Sequence, residues 1–297
     1  MHSLIFIHTI DDPDFPTHKA NHRQFLSDTS KFREVVHIEN PDVKRKIHWI
    51  YRLQYLKDVI LARILDDPTF SVLNSLIFYH QVEVLQWMQS TVSFQKELFA
   101  MFITPAQDSS RKRDAVIFVQ QCCQIAKNLQ QTARTPLYTT FINHGLFGMI
   151  DYAIQCEVPS VRIAGMDIIM ALIDNDSQAM RNHVFKQLND NQKPITDTLI
   201  ELLQGEKDFG VKAQVSDAIK VLLDPQSVPQ VDYPNGDRRK ASTHHLPYSV
   251  EPTAERYMKD FYDESAKKLF TPLMELDKRG SGELLLCSFY VTAPSSV

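Results

Sequence analysis

The chain has 297 residues, 43% of them hydrophobic, enough to bury a large core, and its 8 glycines set against frequent Leu, Ile, Gln and Lys favour helix over sheet. A net charge of −4 gives no long-range pull toward nucleic acid or an anionic membrane. No apolar run reaches the roughly 18 residues that a membrane-spanning helix needs, so an all-α protein without a membrane segment is expected.

Residues 1–10, MHSLIFIHTI, hold a short apolar stretch with no basic flank and no small-residue cleavage site, and they read as a divergent extension rather than a signal peptide. A helix is predicted over residues 17–27. It carries His18 and His22 at i, i+4, but without a Glu between them or a third ligand nearby, a polar helix face is the better reading than a metal site. Two long segments follow, Ile47 to Asp66 and Phe70 to Ser90, with no internal Gly or Pro and only Asp66-Asp67-Pro68-Thr69 between them. Their pattern predicts an αα-hairpin. In the first, His48, Arg52, Arg63 and Asp66 form one polar strip and Gln54, Lys57 and Asp58 another, with apolar residues on both sides. That arrangement predicts a helix packed from two directions, as in a stack of helices.

Further helices are expected over 92–102, 112–130 and 137–143, with Thr104-Pro105, Thr135-Pro136 and Val158-Pro159 each marking a helix start. An internal repeat then appears at an offset of 50 residues. VRIAGMDIIMALID, from Val161, aligns with VKAQVSDAIKVLLD, from Val211, and Val161/Val211, Asp167/Asp217, Leu172/Leu222 and Asp174/Asp224 are identical. The period is slightly above the roughly 40–47 residues of HEAT and armadillo repeats, and reads as a two-helix unit extended by a loop. The fold expected is an armadillo/HEAT-like α-solenoid of stacked helix pairs. From Pro225 to Pro252 the composition turns Pro-rich and loses apolar periodicity, predicting a flexible insert, and two more helices are expected over 253–276.

The block from Asp11 to Asp67 resembles the core of regulatory subunit 3 of the protein phosphatase 4 complex, the SMEK family. The resemblance is carried by Asn21-His22-Arg23-Gln24-Phe25-Leu26, Lys31-Phe32-Arg33-Glu34-Val35-Val36, Tyr51 to Asp58 and Leu73 to Phe78. It continues through Arg111-Lys112-Arg113-Asp114, Val161-Arg162 and Leu222 to Pro225, then thins through Phe261-Tyr262 and Leu269 to Leu273. The domain boundaries that result are an extension over 1–10, a SMEK-type helical domain over 11–224, the insert over 225–252, continuing solenoid helices over 253–276 and a divergent tail over 277–297. The family carries an EVH1-type domain before this region and further repeats after it, so the chain reads as a fragment, a truncated product or an altered gene model.

The resemblance implies a scaffold that joins the phosphatase 4 catalytic subunit together with regulatory subunit 2. It would direct serine/threonine dephosphorylation toward phosphoprotein substrates, in DNA-damage recovery and chromatin-linked events, mostly in the nucleus. It implies no cofactor and no catalysis. The residues agree, since the metallophosphatase motifs GDxHG, GDxxDRG and GNHE are absent, as are a P-loop, GxSxG and HExxH. A rival reading is an armadillo-like adaptor of another class, in transport or the cytoskeleton, with no phosphatase link.

Among single residues, Arg23, Arg52 and Arg63 sit on otherwise apolar helices inside the densest resemblance. They are either structural, paired with Asp58 or Asp66, or contacts to a partner. Arg162 and Lys212 occupy equivalent repeat positions and are read as structural rungs between layers. Cys122, Cys123, Cys156 and Cys287 show no metal-ligand spacing and fit a reduced, intracellular compartment, with one or both of the adjacent pair filling the core. The basic runs Lys44-Arg45-Lys46, Arg111-Lys112-Arg113 and Arg238-Arg239-Lys240 are expected to be solvated, the third fitting an import signal. Ser242, in RRKAS, is a phosphorylation candidate in an exposed loop, and His244-His245 a solvated loop pair.

Overall fold

The computed structural model describes residues 22–27, 34–62, 64–103, 109–224 and 252–274, and every regular element among them is helical. The chain forms two compact units divided between Met101 and Phe102. The first holds α1 (His22–Ser27), α2 (Pro41–Tyr55), α3 (Asp67–Ser90) and α4 (Val92–Ala100), with a π-helical turn, Leu56–Ile60, extending α2.

Local chemistry sets these boundaries. Asn40 accepts from the Asp42 and Val43 amides at 2.9 and 3.3 Å, with Pro41 opening α2 where its missing N–H is no loss. Asp66 caps α3 through the Thr69 amide at 3.1 Å. The hairpin therefore starts and ends its first helix earlier than the sequence suggested, at 41–60 rather than 47–66. What looked like a turn at Asp66-Asp67-Pro68-Thr69 is the cap and first turn of α3. The helix stops at Ile60 because the Leu61 amide bonds back to the Leu56 carbonyl, a wider turn that ends the α ladder.

Among the described residues, α2 is not packed heavily from two directions. It packs on α3, but Val43 is the single buried residue between Pro41 and Ile60. The unit's core lies instead along Ile77, Val84, Leu85, Met88, Phe94, Leu98 and Phe99, at the α3–α4 corner. Gln95, fully buried, ties that corner by donating to the Met88 and Gln89 carbonyls at 2.6 and 3.0 Å.

The second unit holds α5 (Ser109–Ala126), α6 (Gln131–His144), α7 (Leu146–Ile154), α8 (Pro159–Asn175), α9 (Ser177–Asn189), α10 (Ile195–Gly205), α11 (Phe209–Leu223), α12 (Pro252–Asp260) and α13 (Ala266–Met274). A second π-helical turn, Phe261–Ser265, joins the last two, so 252–274 is one continuous helical run rather than two separate helices. The helices α5, α8 and α11 begin at residues 109, 159 and 209, a step of 50 each time, and α8 packs between its two equivalents. Alongside, α7 packs on α10 and α10 on α13, while α9 packs on α12. The repeating unit is thus three helices, not a helix pair with a long loop; residues 177–189 supply the missing one.

Because α8 is covered by α5, α7, α9 and α11, ten of its seventeen residues are buried, and its apolar side chains run all round rather than along one stripe. Gly165 lets α7 approach, since a Cβ there would sit 2.8 Å from the Ala153 Cβ. Pro136 does not start a helix. It lies in the sixth position of α6, and the first turn is held by Arg134 and Thr135 donating to the Asn175 side chain at 3.3 and 3.2 Å.

Polar rungs cross the repeats. Asp167 on α8 accepts from Gln120 on α5 at 2.6 Å and from Gln214 on α11 at 2.7 Å. Arg162 donates to Glu206 at 2.6 Å and to the Cys156 and Glu157 carbonyls, both at 2.9 Å, so it does join the loops of successive layers. Lys112, one repeat earlier, is buried rather than solvated, with its ammonium 5.7 Å from the Tyr152 ring centroid.

Candidate partner-binding face

Eight of the twelve large apolar side chains left exposed among the described residues fall between Trp49 and Val92. The α2–α3 hairpin is therefore where unpartnered apolar surface concentrates. The side chains include Trp49 (37% exposed), Tyr51 (46%), Val72 (65%) and Tyr79 (59%). Scattered surface apolar residues need no explanation, but aromatic residues gathered around arginine have the composition of a protein interface.

Charges frame this surface. Each member of Lys44-Arg45-Lys46 has a carboxylate partner: Glu34, Asp42 and, at 2.7 Å, Glu83. The run is paired rather than simply solvated. The Lys44 bond holds the Glu34 carboxyl below its ordinary value, and the Lys46 bond does the same for Glu83, helped by His80. His80 in turn lies 5.5 Å from the Trp49 ring, so the indole rests on a hydrogen-bonded imidazole. Lys57 pairs with Asp58 at 2.7 Å and sits 5.1 Å over the Phe70 ring.

Arg52 is half-buried on α2. Neither carboxylate suggested for it is seen paired with it: Asp58 bonds Lys57, and Asp66 caps α3. Among the described residues Arg52 makes no ion pair. It lines an open cleft of about 320 Å³ with Pro41, Lys44, Arg45, His48 and Trp49. Burial, then the neighbouring Arg52 and Lys44 charges, push the His48 imidazole below its ordinary value. Arg23 lies on α1, its side chain outside the described residues, and Arg63 and Ser242 lie outside them altogether, as do His18, Cys287, His244-His245 and Arg238-Arg239-Lys240. The three arginines are thus not seen brought together. Trp49 and Tyr79 were passed over in the sequence because an aromatic on an apolar helix reads as core; what marks them is their exposure on the hairpin.

Burial pushes the Cys123 thiol up to about 12 and that of Cys122 higher still, so both fill the core. His183 is stacked flat on Phe147 at 3.8 Å and, through burial and then the Lys186 charge, held down at about 4. His22 bonds Tyr55 at 2.9 Å. Among the described residues no three His, Cys, Asp or Glu side chains gather as metal ligands, and no helix is long and apolar enough to cross a membrane.

Comparison with known proteins gives a consistent result. Residues 11–284 match the family described as phosphatase 4 regulatory subunit 3. The chain is 37% identical over 290 residues to an uncharacterized protein of Schizosaccharomyces pombe, a match covering 94% of this chain and 34% of that protein. It is 31% identical over 223 residues to Suppressor of Mek1 of Dictyostelium discoideum (75% and 21%). With a serine/threonine-protein phosphatase 4 regulatory subunit 3 of Kluyveromyces lactis it shares 32% identity over 243 residues (76% and 32%). The chain spans 21–34% of the length of these relatives. No solved structure matches it.

Proposed function

This chain belongs to the phosphatase 4 regulatory subunit 3 family, and from that premise we propose that it is a non-catalytic scaffold that assembles with the phosphatase 4 catalytic subunit and directs serine/threonine dephosphorylation. The observation that carries the reading is the family match across residues 11–284. It is supported by a helical surface that offers aromatic and guanidinium groups. Regulatory subunit 2 is the second partner we propose, with phosphoproteins as indirect substrates and DNA-damage and chromatin-linked dephosphorylation in the nucleus as the setting.

The mechanism asks for no chemistry from this chain. Holding enzyme and substrate on one surface raises their mutual concentration, to about millimolar for short flexible connections, and so selects which phosphoproteins are processed. The α2–α3 hairpin is the assembly face in this reading, with Arg52 and the candidates Arg23 and Arg63 as partner contacts. An interface of this kind draws most of its energy from a few aromatic and arginine anchors.

The test is co-expression of the chain with the phosphatase 4 catalytic subunit and regulatory subunit 2, followed by size-exclusion chromatography. One stoichiometric peak, lost on the paired change Trp49→Asp and Tyr79→Asp, is the expected result. Separate elution of a folded, helical chain would refute assembly through this region. Phosphatase activity from the chain alone would refute the non-catalytic role.

A further inference from the structure

The α2 cleft lies on the assembly face proposed above, and its charge pattern points to the chemistry of its occupant. Among the described residues, its floor and rim come from two adjacent rows of one helix, Pro41, Arg45 and Trp49 in one and Lys44, His48 and Arg52 in the other, with no carboxylate in the lining. Asp42 and Glu34 answer Arg45 and Lys44, which leaves Arg52 as the guanidinium without an ion pair among the described residues. A half-buried guanidinium keeps five donors in a rigid fork suited to a carboxylate or phosphate. Beside it the Trp49 indole is pre-set by His80, which is itself fixed by Glu83 at 3.1 Å. Anion anchor and rigid apolar wall stand three residues apart on the same helix, one turn from each other.

We propose that this cleft docks an acidic segment of a partner protein, with a carboxylate or phosphoserine bonded to Arg52 and an adjacent apolar side chain laid against Trp49. The inference rests on the scaffold reading only in supposing that the chain binds other proteins. From Pro41 to Arg52 the helix covers about 16 Å, the span of roughly five residues of extended peptide. Charge selects the occupant. A nucleic-acid backbone needs several uncompensated cations along its length, whereas Lys44 and Arg45 are already answered by carboxylates, so a single strong acidic contact beside an apolar one fits better.

The experiment uses the full chain and a short fluorescein-labelled peptide of alternating glutamate and aspartate around a central leucine. Controls are its glutamine and asparagine counterpart, a phosphoserine version and a single-stranded oligonucleotide. Anisotropy is expected to saturate with the acidic and phosphoserine peptides. Binding should fall about tenfold or more in Arg52→Glu, as for loss of a charge-assisted contact, with partial retention in Arg52→Lys. Since Trp49 and Trp87 are the two tryptophans, Trp87→Phe leaves the Trp49 emission as a local reporter, and it should shift on titration. No saturable binding, or binding unchanged by Arg52→Glu in a chain with unaltered circular dichroism, would overturn the proposal. Tighter binding of the oligonucleotide through Arg52 would overturn it too, assigning the cleft to nucleic acid instead. Because these titrations contain no phosphatase subunit, their failure is separate from failure of co-elution.

Discussion

Arg181, on α9, donates from Nη2 to the Asp224 carbonyl at 2.8 Å and so closes the carboxyl end of α11, a helix of the following repeat. The same guanidinium reaches the Leu222 carbonyl at 3.1 Å and that of Val221 at 3.3 Å, and its side chain is completely buried. The last carbonyls of a helix have no partner within it, and burying them unpaired is costly. In the preceding repeat Arg134, on α6, also reaches the end of α8, but bonds the Asn175 side chain rather than backbone carbonyls.

Replacing Arg181 by Met keeps the volume but strands these carbonyls. A loss of about 2–4 kcal/mol in unfolding free energy is expected, and Arg181→Lys should recover little of it, because one ammonium cannot span three acceptors. Urea denaturation followed by circular dichroism measures both. A loss under about 0.5 kcal/mol would mean that water or a neighbouring group satisfies the carbonyls.

Asp167 receives Gln120 and Gln214 on its two oxygens, so its substitution by Asn turns one acceptor into a donor facing a donor. Destabilisation by about 1–3 kcal/mol is expected. In a double-mutant cycle with Gln214→Leu the two costs should fail to add, because both report on one bond. Strict additivity would show that the rung does not hold the layers together.

Much of this was legible in the sequence. The 50-residue offset between Val161 and Val211 located α8 and α11, where burial dictates the apolar positions, and the apolar runs located the α2–α3 hairpin while misplacing the ends of α2. The third helix of the unit was missed: α9 reads SQAMRNHVFKQLN, polar enough to pass for loop, and nothing local reveals that its Arg181 is buried against another repeat's carbonyls. Pro136 misled for a similar reason, since contacts to Asn175, 39 residues away, hold a turn that proline alone would end. On the candidate face, Arg52 was visible as a charge on an apolar helix. That Asp58 and Asp66 would be taken by Lys57 and the α3 cap depends on where α2 ends.

Two carboxyl groups should give opposite pH responses. Hydrogen bonding from Arg162, against some burial, holds Glu206 at about 2, well below its ordinary 4.5. A depressed folded value means stability that is fully present above about pH 4.5 and is lost as pH falls toward about 2. The variant Glu206→Gln should therefore be less stable than the parent at neutral pH and should converge on it in acid. Urea midpoints at neutral pH and at about pH 3 decide this, and a constant gap between the two chains would sink it.

Asp151, on α7, is the mirror case: burial alone raises its carboxyl to about 6 from an ordinary 3.8. With the folded value raised, the protonated group contributes stability below about pH 3.8 that disappears as pH climbs through about 6, where a charge must sit in a desolvated position. Asp151→Asn stays neutral throughout. It should raise the urea midpoint at about pH 8 and leave it unchanged at about pH 3.5, the reverse of the Glu206→Gln pattern. If Asp151→Asn instead destabilised the chain at both pH values, the carboxylate would have to be held by a partner that compensates its burial, and desolvation would not be what sets its titration.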